Sequence, residues 1–240
     1  VHFLAGDSPR DIGWKALAVN VSDLAAKGAV PVGYLLSLAF PATPERDWMA
    51  GFAAGLAEAQ TAFGMHLMGG DTDRRPGPLS ITPMVIGEAP VGRMVRRGTA
   101  AAGDALYVSG TLGDAALGLR LRLEPGLADT WALSDMQVQH LLARYLRPEP
   151  RLALRAALLG LAHAAMDISD GLAKDLGRMC RASGVGAHVE AAALPVSDAG
   201  RVILAADTGR IATVASDTVT SSPTALCRRS TMTRKLSTEK

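Results

Sequence analysis

Cysteine is nearly absent from this 240-residue chain, which has only Cys180 and Cys227. Two thiols make neither a disulfide framework nor a metal-ligand spacing, which points to a reducing compartment. Cys180 falls in a helical pattern and reads as a small buried residue. Aromatic residues are also scarce, 4% against a hydrophobic share of 48% that is largely alanine. Close-packed, alanine-rich helices on sheets are therefore the expected style. Charge of one sign is missing too. The formal net charge is +2, and basic residues are scattered until the final stretch, which argues against a nucleic-acid partner. No apolar run reaches membrane-spanning length, and the start has no charged-then-apolar signal plan. These absences point to a globular cytoplasmic protein of one large or two ordinary domains.

Hydrophobic periodicity supplies the elements. Val1-His2-Phe3 reads as the middle of a strand. Ile12, Trp14, Leu17, Ala18, Val21 and Leu24 form one apolar stripe, predicting a helix from Asp11 to a stop at Gly28. Val32–Phe40, between Pro31 and Pro41, reads as a strand covered on both faces. Thr43-Pro44-Glu45 has the form of a helix start, with the helix running to Phe63 and Trp48, Phe52, Leu56 and Ala59 inward. A short buried strand over Met65–Met68 is expected to stop at Gly69-Gly70. A further strand over Leu79–Gly87 should be bulged at Pro83.

The composition breaks at Val91–Gly103, which divides the chain into residues 1–91, a linker over 92–104, and a second α/β unit over 105–213. In the second unit, strands are expected at Ala105–Ser109 and Ala187–Val189, and an apolar lead-in at Ala164–Met166. Helices are expected at Ala115–Leu123, Ser134–Tyr145, Pro150–Ala162, Leu172–Ser183 and Ala199–Ala206. His140 and His163 read as packing or surface residues. Residues 214–240 turn basic and Ser/Thr-rich and read as a disordered tail.

Chemistry concentrates at a few places. Gly69-Gly70-Asp71-Thr72-Asp73-Arg74-Arg75 reads first, taken alone, as a backbone turn capped by Asp and Thr. The alternative is a phosphate site: glycines admit close backbone approach, carboxylates suit Mg²⁺, and arginines take the remaining charge. Asp23 lies three residues after Asn20, hence on the same helix face, and is a solvated carboxylate or a ligand. Arg93, Arg96 and Arg97 are a solvated linker or a phosphate clamp. Gly110-Thr111-Leu112-Gly113-Asp114 is a glycine-rich strand-to-helix turn without the Walker spacing. Asp167-Ile168-Ser169-Asp170-Gly171 puts two acids at a second such corner, as a helix cap or as a cation site.

Together these residues carry a resemblance. Trp14–Ala26, with its Lys-Ala-Leu-Ala-Val-Asn-Val-Ser-Asp core, is similar to the thiamine-monophosphate kinase family. So are Met68-Gly69-Gly70-Asp71-Thr72, Arg97 with Gly103-Asp104, and Met166–Leu172, in order and spacing, over residues 1 to about 213. The resemblance implies the α/β (α+β) two-domain aminoimidazole ribonucleotide synthetase-like fold, with mixed sheets covered by helices and a homodimer formed through the first domain. It implies transfer of the γ-phosphoryl of ATP to thiamine monophosphate with several Mg²⁺ ions. By the same resemblance Asp23, Asp71, Asp167 and Asp170 are metal carboxylates, and Asp71, Asp167 and Asp170 carry the catalysis. Gly70, Asp71, Arg97 and Ser169 hold ATP, and His2 meets the thiamine phosphate. An ionised phosphate acceptor needs no strong base, so aspartates, metal and arginines should dominate such a site.

The chain also departs from the family pattern. The family's Gly-Asp-Asp and Ser-Thr-Asp segments have no counterpart before Val1. A Gly-Gly-Asp-Asp-Tyr-Glu segment expected after Ile211 is replaced by the Ser/Thr-rich tail. A truncated, frame-shifted chain of impaired activity is the corresponding expectation. The alternatives are another ATP-using enzyme of the superfamily, of the selenophosphate synthetase or aminoimidazole ribonucleotide synthetase type, or a non-catalytic nucleotide-binding or dimerisation module. A hydrogenase-maturation relative would end in a Cys-bearing tail, whereas this chain ends in Lys240.

Overall fold

The computed structural model describes residues 2–206 and a strand at 224–229. Its first half is built on α1 (Pro9–Ala26), β1 (Val30–Phe40), α2 (Arg46–Phe63), β2 (His66–Arg74) and β3 (Ser80–Glu88). β1 is central in the order β2-β1-β3, parallel to β2 and antiparallel to β3. Alternation along β1 sends Tyr34, Leu36, Leu38 and Phe40 to one face, where they meet Leu17 and Val21 of α1 and Phe52 and Leu56 of α2. The two helices approach closely because of glycine: a Cβ at Gly13 would strike the Phe52 carbonyl, and one at Gly55 the Arg10 backbone.

The second half contains β4 (Asp104–Val108), α3 (Asp114–Leu123), the single turn α4 (Leu127–Thr130), α5 (Asp135–Leu146), α6 (Arg155–Leu161), β5 (Ala164–Asp167), α7 (Leu172–Ser183), α8 (Asp198–Ala206) and β6 (Thr224–Arg229). β6 lies between β4 and β5 and is antiparallel to both, so β4 and β5 run in the same direction. Their carboxyl ends, Val108 opposite Ala225 and Asp167 opposite Thr224, reach the same edge of the sheet. Both strand-to-helix corners picked out by sequence therefore emerge side by side. One buried cluster packs Ile168, Leu172, Leu176 and Met179 against this sheet, and another joins α3, α5 and α8 through Leu117, Leu141 and Ile203. Ser134 and Gln137 close a capping box that starts α5.

Several expectations are corrected. His2 and Phe3 lie outside any strand, in an irregular lead into α1. Helix α2 begins at Arg46 with Glu45 at its cap position, so Thr43 does not cap it. Strand β1 is not covered on both faces: its second face leaves Leu35 exposed, because no helix among the described residues packs there. Strand β2 does not stop at the glycine pair. It continues to Arg74 and is almost wholly exposed, as an edge strand that among the described residues pairs with β1 alone. The irregular register lies at Pro31–Gly33 rather than at Pro83, since an edge strand tolerates a proline facing away from its partner. Residues Pro150–Ala162 divide into a 3₁₀ turn (Leu152–Leu154) and α6, and no strand forms at Ala187–Val189. The carboxyl-terminal residues 207–223 and 230–240 lie outside those described. Within the expected disordered tail, 224–229 is a strand, where it satisfies backbone groups of β4 and β5.

The halves are joined by polar contacts around α1. The Trp14 indole donates to the Pro148 carbonyl at 3.0 Å, and Arg147 reaches Asp11 and Glu58 while lying over the Trp14 ring. His140 and His163 bond to Asp114 and Asp104 at 3.0 and 2.9 Å, which fits their reading as structural residues. Cys180 packs half-buried against the α7 core.

Candidate active site

Helix α1 is the spine of the site. Near its last turn the Asp23 carboxyl faces that of Asp167, at the end of β5. Burial, reinforced by the neighbouring Asp23 carboxyl, pushes the Asp167 carboxyl up to about 7. Two carboxyls that face each other in this way are a natural seat for a cation. Lys27, one turn beyond Asp23, faces the same pair; burial lowers its pKa, offset by Asp167 and Asp23 and aided by Arg97. Arg97 is brought there because Arg96 bridges to Ala164 and its carbonyl accepts from the Ala165 amide.

The turn after Asp167 is held from beneath by Asp175. That fully buried carboxylate accepts from the amides of Ser169 (2.9 Å) and Asp170 (2.8 Å) and pairs with Arg178. Asp170 faces outward and pairs with Lys174 and Arg178, whose hydrogen bonds hold its carboxyl below the usual range. The corner is thus a built loop rather than a simple helix cap.

On the amino-terminal side of α1 lies a cavity of about 680 Å³. Its wall includes His2, Phe3, Lys15, Asn20, Trp48 and Ile81, so it is largely apolar with a few polar groups at one side. Asn20 is shared between cavity and acid pair in the sense that Asp23 follows three residues later, about 4.5 Å along the helix axis. Lys15 is buried in this wall, and burial, only partly offset by Asp7 and Asp11, brings its pKa down to about 8.

Asp71 and Gly70 lie elsewhere, on exposed β2, where Asp71 accepts from the Thr72 amide at 2.8 Å. The structure therefore brings together Asp23, Asp167 and Arg97, sets Ser169 and Asp170 on the adjoining turn, and places His2 at the cavity. It does not draw Asp71 into that group. Among the described residues no three metal-donor side chains converge. The pair present still fits Mg²⁺, which needs only one or two protein carboxylates when phosphate oxygens supply the rest. Gly70 also has a reason besides ligand approach: a Cβ there would sit on the Leu36 carbonyl oxygen of β1. Sequence reasoning overlooked Asp175, Lys27 and Lys15. Lys27 was legible as an i+4 partner of Asp23; nothing local marks Asp175, whose role is set by a turn folding back over it.

Comparison with known proteins decides what this arrangement belongs to. Residues 1–89 match the family model for the AIR synthase related protein, N-terminal domain, and residues 101–222 match that for its C-terminal domain. Thiamine-monophosphate kinase from Stenotrophomonas maltophilia K279a superposes with a TM-score of 0.85 at 40% identity, covering 95% of this chain and 71% of that one. The chain belongs to the thiamine-monophosphate kinase family. The family's enzyme from Salmonella typhimurium is 45% identical over 199 residues, 82% of this chain. The chain spans 59% of that relative's length. AaThiL complexed with AMPPCP and TMP superposes with a TM-score of 0.86 at 30% identity, covering 95% of this chain and 71% of that one. No helix among the described residues is long and apolar enough to cross a membrane.

Proposed function

We propose that this protein transfers the γ-phosphoryl group of ATP to thiamine monophosphate, yielding thiamine diphosphate. The observation that carries this reading is the arrangement along α1. One helix presents the wall of a largely apolar cavity and, one turn on, a facing carboxyl pair backed by Lys27 and Arg97. A heterocyclic phosphate ester and a nucleotide triphosphate need those two environments side by side. Membership in the family and the likeness to a kinase complexed with AMPPCP and TMP support the same assignment.

Each side chain then has a role in positioning. The cavity, with His2 at its rim, orients the thiamine end so that its phosphate points along α1 toward Asp23. Asp23 and Asp167 would hold Mg²⁺, with Asp170 on the adjoining turn and Asp71 on β2 as the further carboxylates. Bound there, the metal neutralises phosphate charge. Arg97, the Ser169 turn and the Gly70–Asp71 backbone hold the triphosphate in line with the acceptor oxygen. That oxygen is already ionised, so no side chain has to remove a proton. Titration calorimetry with Mg-ATP is expected to show at least about tenfold weaker binding for Asp71→Asn, the size of losing one charge-assisted contact. Thiamine diphosphate formation, followed chromatographically, tests the reaction; unchanged Mg-ATP affinity in the variant would remove Asp71 from the site.

The homodimer belongs to the same proposal. The uncovered face of the first sheet presents Leu35, Met68, Met84 and Ile86, with Leu35 opposite Met84 and Met84 63% exposed. A contiguous apolar sheet face of this kind suits a second copy. Met84→Glu is expected to shift the sedimentation coefficient from dimer to monomer; a native chain that sediments as a monomer at micromolar concentration would remove this part of the reading.

A further inference from the structure

The short segment before α1 packs Phe3 on the first core but takes its carboxylate grip from the second half of the protein. Asp7 is 5% exposed, and its carboxylate collects four donors. The Leu4 amide donates at 2.9 Å from within the segment, and the Tyr145 hydroxyl of α5 at 3.1 Å. Arg122 of α3 donates from Nε at 3.1 Å and from a terminal nitrogen at 3.0 Å. Arg122 also donates to the Gly6 carbonyl at 2.9 Å, so its guanidinium grips side chain and backbone together. The Tyr145 ring, in turn, carries Lys15: the Nζ lies 3.5 Å from the ring centroid. From there Lys15 donates to the His2 carbonyl at 3.4 Å. Lys15, His2 and Phe3 all line the cavity.

A buried ion pair between sequence-distant elements is a weak source of stability, because desolvation offsets much of the attraction. Its geometric consequence is stronger. A bidentate arginine, a phenol and an ammonium together fix where residues 2–7 run, and those residues form one rim of the cavity. Neither Tyr145 nor Arg122 lines the cavity itself.

We infer that Tyr145 and Arg122 are positioning residues: through Asp7 and Lys15 they hold the His2–Phe3 rim over the cavity and so set the affinity for the ligand it takes. This rests on the reading of the cavity as the thiamine monophosphate site, and it adds that the second domain governs a pocket built by the first. The arrangement also couples the domains, since a shift of α3 or α5 relative to α1 would open the rim.

The test uses Tyr145→Phe, which deletes one hydroxyl and keeps the ring beneath Lys15, and Arg122→Met, with Arg122→Lys as the conservative variant. Hydrogen exchange of the peptide spanning residues 2–8 and calorimetric affinities for thiamine monophosphate and Mg-ATP are measured on the full chain. In Tyr145→Phe and Arg122→Met, exchange in that peptide is expected to accelerate about tenfold while core peptides of α1 and α5 stay protected. Affinity for thiamine monophosphate is expected to fall by about the same factor, with Mg-ATP affinity unchanged and partial recovery in Arg122→Lys. Unchanged exchange would overturn the inference whatever the ligand data show. Accelerated exchange with unaltered thiamine monophosphate affinity would overturn it as well. A native chain that binds Mg-ATP but no thiamine monophosphate would overturn the ligand assignment, and with it the claim that this rim sets substrate affinity.

Discussion

In magnesium-free buffer at pH 8, the Asp167→Asn chain is expected to unfold at a higher denaturant concentration than the native chain. Removing a carboxylate usually destabilises a protein where that group is paired with a cation. Here the neighbouring group that acts on Asp167 is another carboxyl, Asp23, in a half-buried setting. The folded state holds the Asp167 proton up to about pH 7, whereas the ordinary value is 3.8. Folded and unfolded states are both protonated below pH 4, so there is no penalty there. As pH rises from 4 to 7 the unfolded chain releases its proton and the folded chain keeps it, and stability falls throughout that window. Above pH 7 the loss is complete, of the order of 4 kcal/mol for a displacement of about three pH units.

Asparagine cannot ionise and its amide can donate to Asp23, so the variant should recover of the order of 2–4 kcal/mol at pH 8 and lose the slope. Mg²⁺ is expected to reverse the order by stabilising the native chain and leaving the variant unchanged, through binding to the folded state alone. Urea melts at pH 5 and pH 8, with and without Mg²⁺, read all four values. A native chain whose stability does not decline between those pH values would show that Asp167 does not hold its proton beside Asp23.

The second large effect is expected at Asp175. Truncation to alanine leaves the Ser169 and Asp170 amides without their acceptor and takes from Arg178 one of its two carboxylate partners. Breaking a buried charged network of this kind costs about 3–5 kcal/mol. Most of the damage should fall on the turn that presents Ser169 and Asp170, so Mg-ATP affinity should drop even where the chain remains folded. Asp175→Asn retains one acceptor oxygen and should fall between alanine and native in both measurements. A denaturant midpoint within experimental error of native for Asp175→Ala would show that the turn does not depend on this carboxylate.

Much of the site was legible along the chain because its parts are local. Asp167, Ser169 and Asp170 lie in one five-residue corner, and the Asn20–Asp23 spacing fixes a shared helix face. Their corner between β5 and α7 follows from an apolar run ending at acids and glycine. The Gly69-Gly70 stretch misled for an instructive reason. Glycines usually punctuate, but in β2 the pair lets an edge strand pass close to the Leu36 carbonyl, a constraint supplied by β1. The expected strand at His2 also failed, since its path is dictated by Arg122 and Tyr145 more than a hundred residues away in sequence.

What the sequence alone determined was the family, the periodicity of the helices and the identity of the acids, because each rests on residue type and near-neighbour spacing. Tertiary structure alone decided which acids meet. Asp23 and Asp167 become partners only when α1 packs beside β5, and Asp167 keeps its proton toward neutral pH because that packing buries it beside Asp23. It likewise decided that Asp175 supports the corner between β5 and α7 and that Lys15 sits buried on Tyr145. Burial and long-range contact set the charge state of such groups, and neither is written in any local run of residues.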